Sequence, residues 1–85
     1  MAYQIHWDEK AREFLRSISM EDARRIIKKV NGIVDFPRHY LDRLEELNAY
    51  KLRVGDYRAI IDLDENAQII SVLFIGHRKN VYNRL

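Results

Sequence analysis

The chain has 85 residues, 47% hydrophobic and 33% charged, with a formal net charge of +2. That length and balance fit one globular core and exclude both a two-domain protein and a disordered segment. The absence of cysteine excludes a disulfide framework and a thiolate zinc site. No apolar run approaches the roughly 20 residues of a membrane span. "MAYQIHWDEK" lacks the basic start and apolar stretch of a signal peptide, so a cytoplasmic protein is expected. A charge of +2 says little about nucleic acid by itself; its distribution matters more.

The opening "AYQIHW" alternates, with Tyr3, Ile5 and Trp7 on one face, and reads as a first strand. Asp8 stands as an N-cap for a helix with Ala11, Phe14, Leu15 and Ile18 on one stripe. Ser19 is a second N-cap, followed by Glu21 and Asp22, where the helix dipole favours acids. The second helix places Ala23, Ile26, Ile27, Val30 and Val34 on one face, and Pro37 is expected to end it near Phe36. Residues 38–49 read as a connection with Leu44 and Leu47 turned inward.

"YKLRVGDYR" then reads as a hairpin, with Gly-Asp as its two-residue loop and Gly55 at the positive-φ position. Its strands run near 49–54 and 57–63, a polar turn "DENA" follows, and "QIISVLFIG" forms a long apolar strand. Near-continuous apolarity predicts a strand in the middle of the sheet, covered on both faces. The expected order is βααβββ, a single α+β domain over residues 1–85, with a helical hairpin packed on one face of a mainly antiparallel sheet.

The hairpin carries the most specific chemical signal. A two-residue loop pairs Val54 with Tyr57 and puts Arg53 directly opposite Arg58, with Lys51 on the same face. The opposite face carries Tyr50, Leu52, Val54, Tyr57, Ala59 and Ile61. Opposed like charges cost about 0.2–1 kcal/mol, a repulsion that a bound phosphate removes. An ordinary solvated face would mix lysine with glutamate or threonine, so an anion-binding role is favoured.

"GHRKNVY" (residues 76–82) is a second basic cluster: Gly76 is expected to break the last strand, so that His77, Arg78 and Lys79 leave the sheet together. Arginine's planar fork suits phosphate, and Tyr82 offers a ring for stacking on a base. A basic chain end is the plain alternative. Glu45 and Glu46 are carboxylates near the sheet, better read as a polar connection. The three histidines His6, His39 and His77 show no metal-ligand spacing. Ser17 and Ser19 have no His/Asp companions, and the three glycines form no phosphate-cradling loop.

"YKLRVGDYRAIIDLD" followed by "ISVLFIGHRKNVY" resembles the RelE branch of the RelE/ParE toxin superfamily. The resemblance implies a RelE-like fold and an endoribonuclease that cleaves messenger RNA in the ribosomal A site, needs no metal or cofactor, and inhibits translation. It implies a RelB-type antitoxin as partner, in a toxin–antitoxin heterotetramer or larger complex. It also implies a catalytic set of Lys51, Arg53, Arg58, Arg78 and Tyr82. In the implied reaction the 2′-hydroxyl attacks the adjacent phosphate. Some relatives carry lysine where this chain has Arg53. Arginine stays protonated in proteins, which makes Arg53 a clamp and leaves Lys51 as the base. The resemblance implies Arg78 at the acid position, with His77 beside it as a residue for proton transfer. Two alternatives stand beside this reading: a ParE-like poison of DNA gyrase, and a non-catalytic antitoxin-binding module.

Overall fold

The computed structural model describes residues 2–80. Strand β1 (Gln4–Trp7) leads through helix α1 (Glu9–Ser17) to helix α2 (Met20–Asn31). A one-turn helix α3 (Pro37–Tyr40), a short strand β2 (Asp42–Leu44) and a 3-10 turn (Glu45–Leu47) follow. Strands β3 (Ala49–Val54), β4 (Tyr57–Asp64) and β5 (Ile69–His77) complete the described chain. The five strands form one sheet in the order β1-β5-β4-β3-β2. Every neighbouring pair is antiparallel except β1 with β5. A parallel pair cannot be closed by a tight turn, and everything from α1 to β4 lies between these two strands. The expected α+β class, with helices on one face of a mainly antiparallel sheet, is the fold observed.

The main core lies between the helices and the sheet. Phe14 and Ala11 come from α1, and Ile26 and Val30 from α2. The sheet supplies Leu52, Val54, Tyr57, Ala59, Ile61, Ile70, Val72 and Ile75. Full burial of each large aliphatic side chain stabilises the fold by about 1.5–3 kcal/mol. Tyr3, just before β1, and Ile5 and Trp7 within it pack against this core, as their alternation predicts. A smaller cluster of Leu44, Ala49 and Ile60, with Leu47, Leu73 and Phe74 against it, is separate from that core. Lys51, Arg53 and Arg58 alternate out of the main core, and share a sheet face with Ile60.

Several local expectations need correction. Asp8 sits at the N-cap position but makes no side-chain cap; its Oδ1 lies 3.5 Å from His6 Nε2 instead. Ser19 does cap α2, its hydroxyl accepting from the Asp22 amide at 3.1 Å. The helix ends at Asn31 rather than near Phe36: the Gly32 amide still reaches the Lys28 carbonyl, but the Ile33 amide donates to the Val30 carbonyl three residues back, at 3.2 Å, in place of an α-helical partner. Ile33 and Val34 then reach the core from a loop, and Ile27 stays 38% exposed. Pro37 opens α3 instead of closing α2, since its fixed φ and missing N–H suit a first helical position. The connection contains β2, which adds an edge strand to the expected order. β5 is interior to the sheet, but alternate residues on it are only half-buried, so it is not covered equally on both faces.

Candidate functional site

The β3–β4 hairpin has the register that its loop predicts: Val54 opposite Tyr57 and Arg53 opposite Arg58. Gly55 has φ +59°, the left-handed region that favours glycine. Lys51, opposite Ile60, lies two positions along the same face. The two arginines are not equivalent. Arg53 is exposed, whereas Arg58 is 7% exposed. Arg58 Nη1 donates to the Gly55 carbonyl at 3.2 Å and to the Tyr57 carbonyl at 2.9 Å. That ties one nitrogen of the guanidinium to the turn. Its Nε and Nη2 make no hydrogen bond within the described residues.

The second basic cluster is arranged differently from the expectation. Gly76 does not break the strand: β5 continues through His77, with Gly76 opposite Arg58 and His77 opposite Tyr57. His77 therefore lies on the helix side of the sheet and Arg58 on the other. The His77 ring rests on Tyr57, with centroids 4.8 Å apart, and meets the edge of Phe14 at 6.3 Å. Arg78 leaves the strand at the turn, where its amide donates to the Asp56 carbonyl at 2.8 Å. His77, Arg78, Lys79 and Asn80 line a concavity with Asp56 at the hairpin end. Tyr82, the candidate stacking residue, lies outside the described residues.

Behind the hairpin, Tyr57 Oη donates to Asp22 Oδ2 on α2 at 2.7 Å. That hydrogen bond, with burial as the second cause, raises the Tyr57 phenol above its ordinary value. Arg25 Nη1 lies 3.5 Å from Asp22 Oδ1, and a Cβ placed on Gly55 would lie 2.7 Å from an Arg25 guanidinium nitrogen. Helix α2 thus holds the turn that presents Arg53 and Arg58.

Sequence reasoning missed Asp42, which β2 places opposite Lys51. The signal is faint, because a three-residue strand shows little alternation. Glu45 and Glu46 lie in the 3-10 turn and are exposed. Among the described residues, no group of three or more His, Asp or Glu has a metal-binding arrangement, and no helix is long and apolar enough to cross a membrane. Chemically, the hairpin face can bind an anion and stabilise added negative charge on it.

Comparison with known proteins agrees with this architecture. The Mycobacterium tuberculosis RelBE2 toxin–antitoxin complex contains a chain of the same fold, with a TM-score of 0.84 at 20% identity, over 92% of this chain and 100% of that one. The RelE–RelB complex of the archaeon Pyrococcus horikoshii matches with a TM-score of 0.78 at 22% identity, covering 92% and 97%. The isolated E. coli RelE toxin matches at 0.77 and 23%, covering 98% and 94%. At such identities the likeness is one of fold. No curated protein sequence matches the chain. The model of a family described as the ParE toxin of type II toxin–antitoxin systems, parDE, matches residues 5–82. The chain therefore belongs to the ParE toxin family, a toxin of type II toxin–antitoxin systems within the RelE/ParE superfamily.

Proposed function

We propose that this toxin is a ribosome-dependent endoribonuclease that cleaves messenger RNA in the A site. The observation that carries the reading is the cross-strand Arg53–Arg58 pair with Lys51 on the same face. Such a pair opposes folding when empty and is relieved by a phosphate. In the proposed reaction Lys51 takes the proton of the 2′-hydroxyl, whose oxygen bonds to phosphorus while the bond to the 5′-oxygen breaks. The products are a cyclic 2′,3′-phosphate and a 5′-hydroxyl. Arg53 and Arg58 stabilise the charge that builds on the phosphorane oxygens. The leaving 5′-oxygen takes a proton from water at the hairpin end, beside Arg78, whose cation stabilises the departing charge; His77, on the helix side of the sheet, faces away from Arg58. Tyr82 stacks on the base.

A surface made mainly of cations stabilises charge but positions a substrate poorly, which supports dependence on the ribosome. We read residues 1–85 as one toxin domain acting in the cytoplasm. Its proposed partner is a RelB-type antitoxin, as in the M. tuberculosis and P. horikoshii complexes, in a heterotetramer or larger assembly.

The ParE family match favours a second reading, poisoning of DNA gyrase without nuclease chemistry. One paired assay separates them: mapping of RNA ends on ribosomes programmed with a defined message, beside supercoiling of relaxed plasmid by gyrase. The ribonuclease reading predicts new 5′-hydroxyl ends on ribosome-bound message, little cleavage of naked message, and unaffected gyrase. Gyrase inhibition with intact message would establish the second reading in its place.

A further inference from the structure

Phe74 stands on the same face of the sheet as the hairpin cations, because it pairs with Ile60, and Ile60 pairs with Lys51. Strands lie about 4.8 Å apart, so the backbones at Lys51 and Phe74 are about 10 Å from each other across β4. Ile60, 1% exposed, forms the floor between them. Phe74 packs with Leu73 and Leu47 against that floor, and its ring is half-buried. Two residues nearer the hairpin, Gly76 lies opposite Arg58 and places no side chain beside it. The diagonal step from Arg58 to Phe74 is about 7–8 Å, a span that a sugar bridges between its phosphate and its base. Pairing with β1 ends at Val72, and beyond it the outer edge of β5 meets α1. There Phe74 lines a concavity of about 430 Å³ with Lys10, Glu13, Phe14 and Ser17, large enough to admit a purine.

We infer that Phe74 and this concavity form a base-reading subsite, which takes a purine on the nucleotide 5′ to the scissile phosphate. The inference rests on the ribonuclease reading. In that reaction the leaving 5′-oxygen lies at the hairpin end and the attacking 2′-hydroxyl lies at Lys51. Phe74 is level with Lys51, so the base on its side belongs to the nucleotide that supplies the 2′-hydroxyl. Every base has a π-face to lay on a phenyl ring, and a purine offers the larger one. Ser17 Oγ donates to the Phe14 carbonyl at 2.7 Å, which leaves its oxygen as an acceptor beside the Glu13 carboxylate. The donor that suits both is an exocyclic amine, which adenine and guanine carry and uracil lacks. An apolar cover for Ile60 would be served equally by leucine, and needs no acceptors beside it.

The test is a titration of the full-length chain, ¹³C-labelled in its phenylalanine rings, with the dinucleotide d(ApU), which lacks the attacking hydroxyl. The Phe74 ring resonances should move upfield with d(ApU) and stay in place with the same dinucleotide lacking its adenine. Phe74→Leu, which keeps an apolar cover over Ile60, should bind d(ApU) about fivefold or more weakly, as expected for one lost stacking contact. It should bind d(UpU) much as the parent does, and Phe74→Tyr should keep the preference for adenine. Glu13→Ala should narrow that preference. If Phe74→Leu does not fold, the ring shifts in the parent chain carry the test. Equal affinity of the parent for d(ApU), d(UpA) and d(UpU) overturns the inference, as does an unchanged preference in Phe74→Leu. Failure of the ribonuclease reading shows separately: the parent chain then leaves ribosome-bound message intact, while the dinucleotide titration needs no cleavage and still reads the subsite.

Discussion

Arg53→Ala and Arg58→Ala should have opposite effects on stability, although the two residues face each other across one strand pair. Arg58 is buried and gives Nη1 to two carbonyls of its own turn. Hydrogen bonds involving a charged group contribute about 1.5–3 kcal/mol; the Gly55 carbonyl is only part-buried and can recover water, which favours the low end. Removing either arginine also relieves the cross-strand repulsion, worth about 0.2–1 kcal/mol. The balance for Arg58→Ala is a loss of about 1–2 kcal/mol, or roughly 4–16 °C in Tm for a domain of this size. Arg53 is exposed and makes no side-chain hydrogen bond within the described residues, so Arg53→Ala should gain about 0.2–1 kcal/mol. Urea denaturation with an unchanged m-value measures both. A larger loss for Arg53→Ala than for Arg58→Ala would refute this account of the hairpin.

Tyr57→Phe removes the donor to Asp22 and should cost about 1–2 kcal/mol near neutral pH, since the acceptor is a carboxylate. The folded state holds the phenol proton above its ordinary value, so this stability is complete below about pH 10 and fades as pH rises through the folded value. Parent and variant should therefore converge in alkaline denaturation profiles; a constant gap would count against the hydrogen bond. Gly55→Ala places a Cβ at φ +59° under Arg25 and should cost about 1–2 kcal/mol, from left-handed strain, by the same urea measurement. Glu65 accepts from Arg38 Nε and Nη2 at 2.7 Å each, and this interaction lowers its carboxyl below the usual value. Any stability from this exposed pair is present above the ordinary carboxyl value and is lost as pH falls through the folded one. Glu65→Gln should thus differ from the parent at neutral pH, and the difference should shrink in acid and in high salt.

The hairpin was legible in the sequence because Gly-Asp permits one register, and that register sets every pairing from Tyr50–Ile61 to Val54–Tyr57. Helices α1 and α2 were legible from their apolar stripes. The end of α2 was not: Val34 fits the helical spacing although it packs from a loop, and Gly32 ends the helix with φ −76° rather than a left-handed cap. Strand β2 is only three residues long and depends on β3 for its pairing, a tertiary contact that periodicity does not encode. Alternation assigned Arg58 to the correct face but carries no information about depth. Gly76 was read as a break because glycine weakens strands. Instead it pairs opposite Arg58, and the strand it continues turns His77 toward Tyr57 and Phe14.

In the proposed reaction the hairpin cations act on a phosphate during RNA cleavage rather than merely attract the ribosome. Single-turnover cleavage on pre-formed ribosome complexes tests it, with Arg53→Ala as the variant because its fold is expected to be intact. An interaction made mainly in the transition state lowers the chemical step and not the affinity, and loss of one such preorganised contact typically costs on the order of 10²–10³-fold in rate. The predicted result is a slowing of that order with ribosome binding unchanged. Weakened binding with a normal rate once bound would make the cationic face a docking surface and contradict the mechanism.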